Sequence, residues 1–396
     1  MPIIYLLRDP AEVFDFTRER FHRRQLMDIA LIKNKYVPFG GGEGYLQTLM
    51  EHCVARGLRV HLLTSTWSKQ EPKGVSIHRI PTKRYSRKVR TISFATGVCE
   101  HLKRNKYDVV LSLERTIGQN VWRGGEGIHR VWLTMRRQFE SPLRTLAVRA
   151  SSFQRAMLAL EERCIRSTPY LIANSDMVKR DILSTFPDLH KSKIRVVYNG
   201  VDPERYSIEN RMKNRDQIRS ELKLGDSEQL LLLVGSGFRR KGVLETIYVL
   251  RELKECHLVI IGRDNTSAWR RIANKAGVSS RVTFLAPTRD LCPYYHAANA
   301  ALVPSWYDPF PNVGIESLAC GTPVVTTRAC GTSDLIEEGV NGSVFSIPSD
   351  LAEFLASIQH ALAIPGGTEV ASVVSELTPE HNLEQTMAIL MKASQN

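Results

Sequence analysis

The stretch "SWYDPFPNVGIESLACGTPVV" contains two carboxylates, Asp308 and Glu316, that could act together on one ligand. They could be an acid and a base at one bond, or two groups that hold opposite ends of a ligand. The residues around them predict a strand over 300–305, then a loop, and Asn312 is a good N-cap for a helix that Gly321 would end. This turn separates the two side chains, so the pattern favours a clamp over an acid–base pair.

The predicted helix start is itself suited to an anion. The N–H groups of Val313, Gly314 and Ile315 would have no partner within the helix and would point at a ligand. Phosphate is the group that such N–H donors bind best. Glu316 lies about one turn further on, where it could accept hydrogen bonds from vicinal hydroxyls such as those of a ribose.

Two further loops follow predicted strands. In "KYVPFGGGEGY", Gly41 and Gly42 would let the backbone approach a ligand, although a tight turn is an equally good interpretation and the spacing is not a dinucleotide fingerprint. In "LLLVGSGFRRKGV", Gly235 follows a strand, and Arg240 and Lys241 come shortly after it. These cations could neutralise a diphosphate leaving group, and an exposed basic loop is the alternative.

Short apolar runs alternate with amphipathic stretches along the chain, which is typical of parallel sheets covered by helices. In the first half, this alternation predicts strands at 26–32, 58–64, 75–80, 107–113 and 170–175, a last one near 194, and helices at 44–56, 91–105 and 141–167. After residue 210 the pattern restarts, with predicted strands at 229–236, 257–262, 281–286, 300–305 and 322–327.

The sequence therefore predicts an α/β protein of two doubly wound halves, since 396 residues exceed what one hydrophobic core usually holds. We expect a first domain at 27–204, a second at 205–377, and a C-terminal helix at 378–396 that packs back toward the first. Residues 1–26 fit the alternation poorly and are expected to be an extension of doubtful status. Because ligands bind beyond the carboxyl ends of such strands, both halves would line one cleft.

The composition limits the compartment and the chemistry. No apolar run reaches the roughly 20 residues of a membrane span, and charged residues interrupt the start before a signal-peptide core could form, so we expect a cytoplasmic protein. The seven cysteines include no CxxC pair. This pattern predicts buried free thiols and argues against a disulfide framework or a structural zinc site.

The net charge of +13 is concentrated in one region. Residues 79–166 contain 19 Lys and Arg against 7 Asp and Glu. This excess predicts an anionic partner, such as a membrane surface or a phosphorylated saccharide, and ordinary solvated faces are the alternative. We expect no nucleic-acid partner, because the region has no recognisable binding motif and few aromatic residues among the basic ones.

"DPFPNVGIESLACGTPVVTT" resembles the E-x7-E segment of the retaining glycosyltransferases of family 4, which have the glycosyltransferase B fold. "VGSGFRRKG", "IIG", "LIANS", "VVYNGVD" and "GTSDLIEEGVNGSVF" are similar to other motifs of that family, so the likeness spans about residues 27–346. The segment from Lys35 to Trp67 further resembles the lipopolysaccharide core glucosyltransferase I branch. The resemblance implies two Rossmann-like domains that face each other across a cleft.

The resemblance also implies a role for each matching residue. Glu316 would hold the ribose hydroxyls of a nucleotide. Asp308 stands where the family has the first glutamate, which contacts the donor sugar, and its side chain is shorter by one methylene, so we expect it to affect donor choice. The implied donor-binding residues are Gly41, Gly42, Gly235, Arg240, Lys241, Asn312, Val313, Gly314 and Glu316.

"NVWRGGEGIHRVW" occupies the place where this branch has an acidic residue near the reacting centre. Glu126 is the best match and His129 is the alternative, and with Asp308 they form the implied catalytic set. The family's mechanism implies transfer with retention and without a metal or another cofactor. In that mechanism the phosphate of the leaving group helps to deprotonate the acceptor.

The implied function is transfer of a hexose, glucose from UDP-glucose, onto the inner core of lipopolysaccharide. The protein would act as a peripheral protein on the inner face of the cytoplasmic membrane, bound through residues 79–166. The alternatives are another lipid-linked or exopolysaccharide acceptor, a nucleotide-sugar epimerase of the same fold, or a catalytically silent sugar- or lipid-binding protein.

Overall fold

A computed structural model describes residues 27–35, 41–67, 71–225 and 227–395, so the predicted extension at 1–26 lies outside the described residues. The described chain forms two parallel sheets, and each sheet has a hydrophobic core on both faces. No helix in these ranges has both the length and the apolar character that crossing a bilayer requires.

The first sheet contains seven strands, β1 (Asp28–Ile32), β2 (Arg59–Thr64), β3 (Val75–Arg79), β4 (Val109–Ser112), β5 (Val121–Arg123), β6 (Tyr170–Ala173) and β7 (Ile194–Val196). Their spatial order is β3-β2-β1-β4-β5-β6-β7, and every pair is parallel. The helices of this half are α1 (Gly41–Ala55), α2 (Arg87–Arg104), α3 (His129–Phe139), α4 (Pro142–Ala150), α5 (Ser152–Ser167) and α6 (Asp176–Thr185).

The second sheet contains six strands, β8 (Gln229–Val234), β9 (Cys256–Ile261), β10 (Val282–Leu285), β11 (Ala300–Val303), β12 (Val324–Thr327) and β13 (Gly342–Phe345). They lie in the order β10-β9-β8-β11-β12-β13 and are parallel. The remaining helices are α7 (Arg211–Glu221), α8 (Val243–Val249), α9 (Thr266–Lys275), α10 (Cys292–Ala297), α11 (Asn312–Ala319), α12 (Leu351–Leu362), α13 (Thr368–Ser372) and α14 (Pro379–Ala393).

Every predicted strand is present, and three features differ from the prediction. The short strands β5 and β13 were not predicted. The segment "NVWRGGEGIHRVW", for which no element was predicted, contains β5 before its glycines and the start of α3 at His129. The predicted helix at 141–167 is two helices, since the hydroxyl of Ser151 accepts the N–H of Gln154 and starts α5 anew.

The last helix returns to the first sheet. Thr378 is its N-cap, and its hydroxyl accepts the N–H of His381. Leu383, Met387 and Leu390 are buried in the core that the first sheet shares with α1. The chain therefore crosses between the two halves twice.

The two halves also contact each other directly. The hydroxyl of Tyr307, from the second half, donates to the Asp181 carboxylate of α6 at 3.0 Å and accepts the N–H of Ile128 at 3.0 Å. Asp334 accepts hydrogen bonds from the N–H of Met177 and from Arg180. These contacts set the width of the space between the sheets.

Candidate active site

A cleft of about 780 Å³ lies where the carboxyl ends of strands from both sheets meet. Its lining comes from loops that follow strands in both halves, from α1 and α11, and from the start of α14. The lining residues are Lys33, Tyr45, Thr48, Leu113, Arg123, Gly125, Glu126, Asn174, Asn199, Gly200, Gly235, Asp308, Phe310, Asn312, Val313, Glu316, Pro379, Asn382 and Leu383.

Asp308 binds two of the three cations in the loop that follows β8. Its Oδ2 atom lies 2.6 Å from Lys241 Nζ and 3.0 Å from Arg240 Nη1. Burial raises the pKa of the Asp308 carboxyl, but the charges of Lys241 and Arg240 outweigh it and hold that pKa below its usual value. With the carboxylate ionised, the three groups sum to one positive charge, which leaves the cluster able to bind an anion.

Gly235 brings the backbone against this cluster. Its φ is +146°, in the region that favours glycine, and a Cβ there would lie 3.0 Å from the Cε of Lys241. The neighbouring Arg239 faces away from Asp308, since its guanidinium pairs with Glu245 at 2.6 Å and lies over the ring of Phe139. Of the basic run, Arg240 and Lys241 are thus the two that bind Asp308, and they border the cleft through it without being among its lining residues.

Glu316 lies on α11 and is held from α10. Its Oε2 atom accepts a hydrogen bond from the Tyr295 hydroxyl at 2.9 Å. Burial raises the pKa of Glu316, and the hydrogen bond from Tyr295 opposes this increase. The two carboxylates of the 305–325 stretch therefore have separate partners and both line one cleft. That they hold opposite ends of one ligand stays a prediction.

The start of α11 corrects two details of the prediction. Pro311, and not Asn312, is the N-cap, and the Asn312 side chain instead accepts a hydrogen bond from Asn199 Nδ2 at 2.8 Å, across the cleft. The N–H of Gly314 is not free, because it donates to the carbonyl of Pro311 at 3.0 Å. Gly321 ends the helix with φ +71°, as predicted.

Glu126 faces the cleft from the first half. Its side chain is 67% exposed and pairs with Arg115 Nη1 at 2.9 Å, and the same guanidinium binds the buried Glu161 at 3.0 Å. Enclosure in the cleft raises the pKa of Glu126, but the charges of Arg115 and Lys33 outweigh it and hold that pKa below its usual value. Glu126 is therefore ionised at neutral pH.

His129 is placed differently and is not among the lining residues of the cleft. Its Nε2 atom lies 2.6 Å from Gln154 Oε1 on α5, and its N–H donates to the Glu161 carboxylate that caps the start of α3. Burial lowers the pKa of the imidazole, and the hydrogen bond to Gln154 opposes this decrease. Of the two candidates for the reacting centre, only Glu126 lines the cleft.

The glycine-rich loop is described in part. Gly41 and Gly42 form the first turn of α1, and residues 36–40, which carry the rest of the loop, lie outside the described residues. The predicted contact of Gly41 and Gly42 with phosphate stays a prediction.

Three lining residues that the sequence did not single out have buried polar atoms without a hydrogen-bond partner in the described chain. They are Arg123 Nη1, Asn174 Oδ1 and Asn382 Oδ1. Arg123 lies over the ring of Tyr45 at 4.2 Å and donates from Nη2 to Asn199, so its position is fixed while Nη1 stays available. Buried polar atoms normally have partners, which makes these three candidates for ligand contact. Asn174 belongs to the "LIANS" motif, and Arg123 is the last residue of β5.

All seven cysteines are free thiols, as predicted, although Cys99 and Cys292 are only half-buried. Within the described residues, one group of side chains has the spacing of metal ligands. Cys292, His296 and Cys320 have ligand atoms within 4.8 Å of one another. They do not line the cleft.

Two family models match the chain. "Glycosyltransferase Family 4" matches residues 39–205, and "Glycosyl transferases group 1" matches residues 228–363. The first match covers most of the half that contains Glu126, and the second covers the half that contains Lys241, Asp308 and Glu316.

Similar proteins agree with these matches. The lipopolysaccharide glucosyltransferase WaaG of Escherichia coli strain K12 is 26% identical over 85% of this chain and 90% of its own. The D-inositol 3-phosphate glycosyltransferase of Mycobacterium marinum is 25% identical over 86% of this chain and 77% of its own.

Solved structures show the same fold. The crystal structure of WaaG has a TM-score of 0.70 at 24% identity and covers 93% of this chain and 98% of its own. The complex of Anabaena HepE with UDP-glucose has a TM-score of 0.66 at 17% identity, over 92% and 100%. The predicted glycosyltransferase B fold is confirmed.

Proposed function

The chain belongs to the glycosyltransferases that these two family models describe, and from this premise we propose that it moves glucose from UDP-glucose onto the inner core of lipopolysaccharide. The observation that carries this proposal is one cleft lined by Asp308, which binds two cations, and by the half-buried carboxylate of Glu316. Lys241 and Arg240 serve a diphosphate, and Glu316 serves the ribose.

The donor would enter a site that already has positive charges for its diphosphate. Phosphate oxygens compete with Asp308 for Lys241 and Arg240, and the carboxylate is then released toward the sugar. The unpartnered Nη1 of Arg123 offers a further donor from the opposite half. This division agrees with the clamp, in which Asp308 and Glu316 hold different ends of one molecule.

We propose that transfer retains the configuration at C1, with the acceptor entering on the face from which the phosphate leaves. The acceptor hydroxyl forms a bond to C1, the bond from C1 to the phosphate oxygen breaks, and the acceptor proton passes to the leaving phosphate. Lys241 and Arg240 stabilise the negative charge that grows on the diphosphate. The ionised Glu126, on the other half, stabilises the positive charge that develops on the ring.

We further propose that the reaction needs no metal ion. Asp308 is already bound by two cations, and Glu316 by a tyrosine hydroxyl. Lys241 and Arg240 supply the charge that a divalent cation would otherwise give to the diphosphate.

The surface of the first half supports a lipid-linked acceptor. No residue of α4 is buried, and its Leu143 and Leu146 are 81% and 64% exposed beside Arg144 and Arg149. A short helix with apolar and basic side chains, both exposed, fits the interface of an anionic membrane. We propose that α4 lies on the inner face of the cytoplasmic membrane.

A basic cavity in the same half adds to this surface. It has a volume of about 840 Å³ and lies between β3 and α2, with Arg79, Lys83, Lys88 and Arg104 in its lining. Arg87 lies over the ring of Phe153 at 4.5 Å, which joins this segment to the start of α5, next to α4. An anionic head group or a phosphorylated saccharide fits such a lining.

A second acceptor class is favoured by one observation. The inositol phosphate glycosyltransferase matches the chain over a similar length and at a similar identity to WaaG. Its name gives a small phosphorylated polyol as the acceptor of that protein. The exposed leucines of α4 have no use in that reaction, so the lipid-linked acceptor is the one that we propose.

The test is turnover of a panel of sugar nucleotides, each with heptose-terminated inner-core lipopolysaccharide, with inositol phosphate and without acceptor. We expect UDP release from UDP-glucose that depends on the lipopolysaccharide, an α-linked product by NMR, and full activity in EDTA. Isomerised free sugar nucleotide would instead identify an epimerase. If no sugar nucleotide is turned over and UDP does not bind, the proposal is wrong.

A further inference from the structure

Two cysteines lie in contact next to the Tyr295–Glu316 hydrogen bond. Cys292 begins α10 and Cys320 directly follows α11, and their Sγ atoms are 3.5 Å apart. Tyr295 lies three residues after Cys292, and Glu316 lies four residues before Cys320, so each helix uses one face for both contacts. The contact between α10 and α11 thus has two layers. The Tyr295–Glu316 hydrogen bond reaches the cleft, and the contact between the two sulfur atoms forms the second layer.

We propose that Cys292 and Cys320 form a thiol oxidation site, at which a hydroperoxide links them in a disulfide that weakens donor binding in the cleft. The effect on the donor rests on the proposed function, whereas formation of the disulfide does not. The site is separate from the lining of the cleft.

The two thiols are suited to different steps. Cys292 is half-buried, while Cys320 is fully buried. The hydrogen bond from the Cys320 thiol and the nearby His296 imidazole lower the pKa of Cys292, and burial opposes this decrease. Cys292 is therefore the accessible thiolate that reacts first, and Cys320 is the thiol that resolves it.

A metal ion is the competing occupant, and the surroundings of His296 disfavour it. The Nε2 atom donates to the carbonyl of Ser207 at 2.7 Å, and Nδ1 accepts from Asn214 Nδ2 at 3.0 Å. Both ring nitrogens already have protein partners, so an ion would have to break one of these hydrogen bonds. The two sulfur atoms, by contrast, can bond to each other without a third ligand.

The chemistry balances with hydrogen peroxide as the oxidant. The Cys292 thiolate attacks one peroxide oxygen, an S–O bond forms, the O–O bond breaks, and the departing hydroxide takes a proton to become water. The Cys320 sulfur then attacks Cys292, the S–S bond forms, and the S–O bond breaks to release a second water. Two thiols lose two electrons, and one peroxide gains them.

The disulfide would move the residue that holds the nucleotide. An S–S bond is about 2.05 Å long, so the two sulfurs must approach by roughly 1.5 Å. The N–H of Cys320 donates to the carbonyl of Glu316, so the end of α11 and the Glu316 turn move together. Glu316 then no longer meets the ribose in its best position.

The test measures disulfide formation and UDP binding on the full chain. The reduced protein is treated with hydrogen peroxide, mapped by peptide mass spectrometry, and titrated with UDP before and after dithiothreitol. We expect a linked peptide that contains Cys292 and Cys320, and a UDP Kd raised on the order of tenfold and restored by reduction. C292S should form no disulfide, and its UDP Kd should not respond to peroxide. C320S should leave a sulfenic acid on Cys292 that dimedone traps.

C99S is the matched control, because Cys99 is also half-buried but lies outside the pair. It should keep both the linked peptide and the change in Kd. The proposal is overturned if both thiols still react with an alkylating agent after peroxide, if the disulfide forms with an unchanged UDP Kd, or if a bound zinc ion protects them. Absence of UDP binding in the reduced protein would contradict the proposed function, and the peptide map would still decide the disulfide.

Discussion

The ammonium of Lys241 lies 2.6 Å from the carboxylate of Asp308, which also accepts a hydrogen bond from Arg240 at 3.0 Å. The carboxylate implied to touch the donor sugar therefore binds the cations implied to hold the diphosphate. The carboxylate of Asp308 thus neutralises one of the two positive charges. A donor diphosphate that binds Lys241 and Arg240 must therefore displace Asp308 from them.

Neutralising Asp308 should increase the effect of nucleotide on stability. D308N leaves two cations without their carboxylate, and breaking such a pair typically costs about 3–5 kcal/mol, so we expect a lower Tm. UDP supplies the missing negative charge, so it should raise the Tm of D308N more than that of the wild type. D308E keeps the charge and is the matched control, with a UDP shift near the wild-type value. Equal shifts in all three proteins would contradict this account of the cluster.

Glu126 and His129 can be separated by kinetics. E126Q should lower kcat by about 10²–10³, because it removes charge from a side chain that faces the sugar, while the UDP Kd changes little. H129N is the control, and it should lower kcat by less than about threefold, since its imidazole contacts Gln154 and not the cleft. The reverse order of the two effects would assign the reacting centre to His129.

Asp181 should make stability depend on pH. Burial raises the pKa of Asp181 from 3.8 to about 6, and the hydrogen bond from Tyr307 only partly opposes this. Between these two values the folded chain binds more protons than the unfolded chain, so stability falls as pH rises and the loss is complete above about pH 6. D181N keeps an acceptor for Tyr307 and removes the charge, so it should be more stable at neutral pH, on the order of 1–2 kcal/mol.

The measurement is thermal unfolding of both proteins across this pH range. The difference in Tm between D181N and the wild type should shrink as pH falls from about 6, and it should level off below 3.8, where Asp181 is increasingly protonated in both states. D216N changes an exposed carboxylate and serves as the control, with no such trend expected. A difference that does not change with pH would show that the charge of Asp181 is not the cause.

The two exposed leucines of α4 should contribute to membrane binding. L143S/L146S should weaken binding to vesicles of anionic lipid about tenfold, since each leucine loses part of the 1.5–3 kcal/mol that full burial of such a side chain gives. Binding of the wild type should also fall as salt rises, because the neighbouring arginines act through charge. M212S changes an exposed apolar residue of the second half and should bind as the wild type does. Equal vesicle binding by L143S/L146S and M212S, or binding that does not change with salt, would contradict the proposed role of α4.

The sequence was sufficient for the elements that long patterns define. Strands of five or six apolar residues, such as β8 and β9, are evident from composition alone. The three residues of β5 are too few for a period to appear, and α3 lies beside glycines that suggest a loop. The position of β5 is set by pairing with β6, which begins at Tyr170. The start of α3 is set by the carboxylate of Glu161, 32 residues after His129.

The candidate site likewise contains residues that local sequence patterns predict and contacts that only the folded chain creates. Lys241, Asp308 and Glu316 were predicted from their places at strand ends and at a helix start. In the structure Asp308 and Glu316 line one cleft, and Lys241 binds Asp308. That Asp308 binds Lys241 depends on the packing of two loops 67 residues apart, which no local pattern encodes. The available nitrogen of Arg123 and the sulfur contact between Cys292 and Cys320 likewise arise only from the folded chain.

The central claim is tested most directly by the mass of an acceptor. Heptose-terminated inner-core lipopolysaccharide is incubated with UDP-glucose and either the wild type, K241A or K241R, and then analysed by mass spectrometry. The account predicts a gain of one hexose with the wild type, a rate about 10²–10³ lower with K241A, and a smaller loss with K241R, which keeps the positive charge. No gain of hexose from any sugar nucleotide, or equal rates for wild type and K241A, would contradict it.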